Sequence, residues 1–104
     1  MKMMSLHDVI KEAMKLDWKL WVYYNPKEEL RQNTRVMLLD IDNEKFGNDD
    51  IIPLIAEKNG FEEFLSVHDI QGILINMECD PDTNIEKALR HIIYYFENDA
   101  YYIE

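Results

Sequence analysis

The apolar positions of this chain follow two periods that exchange along its length. Leu6, Val9, Ile10, Ala13 and Met14 fall three and four apart, with Lys11, Glu12 and Lys15 between them, which predicts a helix laying one face on a core. Ser5-Leu6-His7-Asp8 reads as a capping-box-like start, where a hydroxyl and a carboxylate each satisfy an orphan backbone N–H, and the helix is expected to end near Asp17. Residues 19–24, rich in aromatic and β-branched side chains, predict a strand closed by Asn25-Pro26, because proline has no N–H to give to a ladder. After a polar loop at 27–34, residues 35–41 predict the partner strand. Val36-Met37-Leu38-Leu39 is apolar at every position, so this strand should be covered on both faces and lie inside its sheet.

Residues 42–50 are polar and acidic, a surface loop leading into a short helix expected to begin at Asn48 or Asp49. That helix keeps Pro53 in its first turn, buries Ile52, Leu54, Ile55 and Ala56, and stops at Asn59-Gly60. Residues 61–65 suit a third strand. Ser66-Val67-His68-Asp69 repeats the first cap and opens a third helix with the stripe Ile70, Ile73, Leu74 and Met77, closed by Pro81. Two helices meeting the same capping need explain that four-residue echo without a duplication. Thr83 with Glu86 forms a further capping box for a fourth helix bearing Ile85, Ala88, Leu89, Ile92 and Phe96 on one face, and Asn98-Asp99 breaks it before a short tail. The expected architecture is one α+β domain over residues 1–104. A small three-stranded, mainly antiparallel sheet packs against about four helices in the order α-β-β-α-β-α-α.

Composition agrees with a single self-sufficient core: 104 residues, 47% apolar and 12% aromatic. Cys79 stands alone and cannot form an intramolecular disulfide, the opening Met1-Lys2-Met3-Met4 has no signal-peptide run, and no apolar stretch approaches membrane-spanning length. These point to the cytoplasm and away from a membrane.

Charge changes the picture most. The net charge is −10, and it is lopsided: residues 1–35 carry seven Lys/Arg and five Asp/Glu, whereas residues 36–104 carry four and sixteen. A field of that sign repels phosphate backbones and anionic lipid and attracts cationic protein surfaces, so direct nucleic-acid binding is disfavoured. Solubility alone is the bland account of the same excess.

No catalytic or cofactor motif emerges. Asp40-Ile41-Asp42-Asn43-Glu44 invites a calcium-loop reading, but Lys45 stands where the sharp turn wants glycine and Ile51 where a bidentate glutamate is required. A looser cation site among Asp40, Asp42, Asp49 and Asp50 competes poorly with a solvated acidic loop. His7, His68 and His91 lack metal-ligand spacing, and His91 suits a partly buried structural place on the fourth helix. Glu78 and Asp80 flank Cys79 and oppose thiolate formation, against a nucleophile. Three glycines offer no phosphate loop, and the chain is expected to be no enzyme and to need no cofactor or metal. The aromatic groups Trp18/Trp21/Tyr23/Tyr24 and Tyr94/Tyr95/Tyr101/Tyr102 finish a small core or, where exposed, anchor a partner.

Leu65-Ser66-Val67-His68-Asp69-Ile70-Gln71 and Tyr94-Tyr95-Phe96-Glu97-Asn98-Asp99-Ala100 are similar to segments of small bacterial domains that occur among immunity proteins. Size, acidity and the lack of a catalytic motif also resemble immunity proteins of contact-dependent growth inhibition and related polymorphic toxin systems. The resemblance implies a cytoplasmic inhibitor that binds one cognate toxin domain, commonly a basic nuclease. Those families share no functional motif, so the expected partner-binding residues come from charge and exposure alone. They are Asp40, Asp42, Glu44, Asp49, Asp50, Glu78, Asp80, Asp82, Glu97 and Asp99, with Tyr101 and Tyr102 as desolvated anchors. The alternative from the same residues is a regulatory domain that self-associates as a homodimer through its aromatic patch.

Overall fold

The computed structural model describes residues 2–46, 52–78 and 83–102. Its centre is a four-stranded antiparallel sheet in the order β1-β3-β2-β4, built from β1 (Lys2–Ser5), β2 (Trp21–Tyr24), β3 (Arg35–Leu39) and β4 (Glu62–Ser66). The expectation of three strands is corrected by β1, which precedes the first helix. Lys2–Ser5 carries no β-branched residue to announce a strand, and what holds it is pairing with the free edge of β3, Met3 opposite Met37 and Met4 opposite Val36.

Among the described residues four α-helices complete the fold: α1 (Leu6–Glu12, prolonged by a 3₁₀ turn over Ala13–Lys15), α2 (Leu54–Lys58), α3 (Val67–Met77) and α4 (Ile85–Asn98). Both repeated caps form. The Ser5 hydroxyl accepts from the Asp8 N–H at 3.1 Å and the Ser66 hydroxyl from the Asp69 N–H at 3.0 Å, each at a corner where a strand passes directly into a helix. Two starts differ from expectation. Residues 48 and 49 lie outside the described residues, and α2 begins only after Pro53, whose backbone bridges to Phe46. Asn84, not Thr83, caps α4 by accepting from the Lys87 N–H, and Glu86 instead takes a hydrogen bond from the Gln32 side chain. Gly60, at φ +72, supplies the left-handed stop after α2.

Side-chain alternation on β3 divides the interior. Val36 and Leu38 point to the main core with Leu6, Ile10, Ile70, Ile73 and Ile92 from α1, α3 and α4, while Met37 and Leu39 point to a thinner layer with Tyr23 and Ala56. Val36, Met37, Leu38 and Leu39 are all buried, the outcome expected of a run that is apolar at every position, and only Arg35 at the start of β3 is exposed.

The register of β2 against β4 slips between Val22 and Tyr23: Leu65 faces Val22, Glu63 faces Tyr23, and Phe64 is the extra residue of a β-bulge. The bulge lets Phe64 and Leu65 both join the main core while Glu63 turns toward the face of Tyr23. Burial, with Glu63 beside it, pushes the Tyr23 hydroxyl up to about 12. An unfolded tyrosine ionises near 10, so this group favours the fold below that pH, and the contribution is lost as pH rises toward 12. The denaturant midpoint is expected to fall across that window, and Tyr23→Phe to flatten the fall, in chemical unfolding followed from pH 8 upward.

Candidate protein-binding face

At the β4 side of the sheet the chain gathers its two tryptophans and several carboxylates. The loop before β2 is fixed first: the Gln71 side-chain amide of α3 donates to the carbonyls of Ala13 (2.8 Å) and Leu16 (3.1 Å), and the Val67 N–H donates to Leu20 O at 2.8 Å. Asp17 accepts from the Lys19 N–H at 3.0 Å and closes the turn. This scaffold presents Trp18, 57% exposed, with its ring edge-on to His68 at 6.0 Å and with Lys19 Nζ 5.6 Å from its centroid. Trp18, Trp21, Ile41, Asp42 and His68 line a shallow groove of about 360 Å³.

Trp21 also walls a second groove of about 440 Å³, with Glu63 from β4, Asp69 from the first turn of α3, and Tyr95, Phe96 and Asp99 from the end of α4. The first turn of α3 therefore lies beside the last turn of α4, and the two helices run antiparallel. None of Glu63, Asp69 and Asp99 forms an ion pair among the described residues, as Glu29 does with Arg31. Their field reaches the neighbouring hydroxyl: the Asp69 carboxylate, then burial and then Asp99 and Tyr101 hold Tyr95 above the usual phenol range.

The expected binding residues divide by place. Asp42 and Asp99 lie in the two grooves that share Trp21. Asp40 is a structural cap, its carboxylate accepting from the Asp42 N–H at 3.2 Å and the Asn43 side-chain amide at 2.7 Å, and Glu44 ends the same short turn. Glu97 is exposed on the last turns of α4. Glu78 ends α3 in the left-handed conformation, about 14 Å along the helix axis from Asp69, so it belongs to the opposite end of the hairpin from Asp99. Asp49, Asp50, Asp80 and Asp82, like Cys79, lie outside the described residues.

Tyr101 and Tyr102 are half-exposed but rest on rings of their own chain, Tyr101 on Tyr95 and Tyr102 on Tyr94 and on the buried His91, each at 5.1–5.3 Å. The Tyr101 hydroxyl also lies where a side chain at Gly72 would begin, at 3.3 Å, so the bare backbone of α3 there admits the tail. Glu63 and Asp69, which line the candidate face, were not among the expected binding residues, and Trp18 and Trp21 were expected there only as members of an aromatic group that anchors a partner where exposed. The density of tryptophan at 18 and 21 was a usable signal. For Glu63 and Asp69 there was none, since their roles depend on β4 being an edge.

A family model matches residues 3–103 and carries the description "Domain of unknown function (DUF7716)". The chain belongs to the DUF7716 family. No curated protein and no solved structure matches it. In this DUF7716 domain no helix among the described residues is long and apolar enough to cross a membrane, and no group of three His, Cys, Asp or Glu among them is placed to hold a metal ion.

Proposed function

We propose that this DUF7716 domain is a non-catalytic cytoplasmic inhibitor that docks its β4-edge face on a cationic protein, a cognate toxin domain of the basic nuclease kind, and occludes its active site. The observation that carries the reading is that Trp21 walls two grooves, one holding Asp42 and the other Glu63, Asp69 and Asp99, with only Lys19 as a lysine or arginine among the described residues lining them. Unpaired carboxylates around a partly exposed indole combine the steering charge and the desolvated anchor that tight protein interfaces use. The competing reading, self-association through the tyrosine patch, is weakened because Tyr101 and Tyr102 already stack within their own chain.

Co-expression tests the proposal. Cells expressing the toxic gene encoded beside this one are expected to grow when this chain is abundant and to die without it. Death that continues undiminished in its presence removes the reading.

A further inference from the structure

We infer that the groove at the β4 edge is a receptor for one arginine side chain projecting from a loop of the partner protein. The inference rests on the reading of this face as one that binds a cationic protein, and it specifies the group that is bound. Trp21 and Glu63 stand on the sheet face of Tyr23, whereas Asp69, Tyr95 and Phe96 belong to the helical layer on the other side. A single cavity touching both sets must open across the sheet's edge, where β4 has no neighbouring strand among the described residues. The Phe64 bulge interrupts regular pairing at that point, which favours an inserted side chain over an added strand.

The lining selects among cations. Glu63, Asp69 and Asp99 come from three different elements and are acceptors only, and no Lys or Arg lines the cavity among the described residues. A bare divalent ion needs several oxygens converging within about 2.6 Å. These acids are instead spread around aromatic walls, and no described trio of them is placed to hold a metal. A guanidinium is planar and weakly hydrated, with five N–H donors that reach more than one carboxylate while its face lies on Trp21 or Tyr95. An ammonium is compact and holds its water more strongly, so it gains less from the same walls.

The test uses the whole chain and a soluble Gly/Ser nonapeptide with one central arginine, beside counterparts carrying citrulline or lysine. Amide and indole resonances are followed by NMR. The arginine peptide is expected to shift Trp21, Glu63, Asp69 and Asp99 saturably, the citrulline peptide to leave them in place, and the lysine peptide to bind more weakly. The isosteric pair Asp69→Asn and Asp99→Asn, with its fold checked by circular dichroism, is expected to weaken the arginine peptide about tenfold or more, as loss of charge-assisted hydrogen bonds does. Equal shifts from citrulline, or an undiminished affinity in the double variant, overturn the inference. A peptide that seats here while the chain rescues no toxin-expressing cell leaves the receptor standing and removes the toxin reading. Full rescue by the double variant does the reverse.

Discussion

Ile92→Ala is expected to lower the unfolding free energy by about 3 kcal/mol, the middle of the range for emptying a fully buried aliphatic site. Ile92 is 0% exposed at the centre of α4, packed in the main core with residues of β2, β3 and α3, so the missing methyl groups leave a void that the surrounding helices and sheet cannot all close. For a domain of this size that corresponds to a fall in melting temperature of roughly 10 °C or more. The contrast is Ile75→Ala on α3. Ile75 is 64% exposed, and its loss is expected to change stability by no more than about 0.5 kcal/mol, partly offset by alanine's better helix propensity. Thermal and urea unfolding of the two variants measure the difference, and equal losses would contradict the assigned layering.

The second large effect is electrostatic. Replacing Asp69 and Asp99 together with lysine turns the most negative part of the binding face positive, and association with a basic partner is expected to slow by about 10- to 100-fold at low salt. The gap should narrow at about 0.5 M salt, where screening shortens the reach of such fields to a few ångströms. Stopped-flow mixing with the basic partner that the proposed function calls for, at two salt concentrations, measures this. An internal check needs no partner: the Tyr95 hydroxyl, held high first by Asp69, is expected to titrate lower in the variant. A Tyr95 that titrates unchanged would show that the two carboxylates do not act where the structure puts them. Lysine at position 69 also opposes the dipole of α3, a penalty of about 0.3–1 kcal/mol to be separated by measuring stability alongside.

Much of the fold was legible because particular residues leave little choice. The unbroken apolar run at β3 can be satisfied only by covering both faces, and the serine caps at 5 and 66 open helices wherever an apolar stripe follows. What escaped reading is tertiary. β1 exists because β3 offers it an edge, Asn84 displaces Thr83 as a cap by one residue, and the bulge at Phe64 has no local signature. The acid of the proposed binding face could be read from the sequence, but not which acids the fold would gather in one groove. Acid counts singled out Asp42 and Asp99, yet they also singled out Asp40, whose oxygens accept from the Asp42 N–H and the Asn43 side chain of its own turn, and Glu78, which the antiparallel helix pair carries to the far end. Asp69 looked like a capping residue and nothing more, and only the meeting of α3 with the end of α4 gives its carboxylate a second surface to serve.

The irregular, doubly acidic border formed by Glu62, Glu63 and the Phe64 bulge has a consequence for how this chain survives at high concentration. Open strand borders are the usual templates on which identical chains stack into fibrils, and repelling charges with a broken ladder remove the template. The same stretch that would admit one foreign cation thus keeps copies of the chain from pairing along β4.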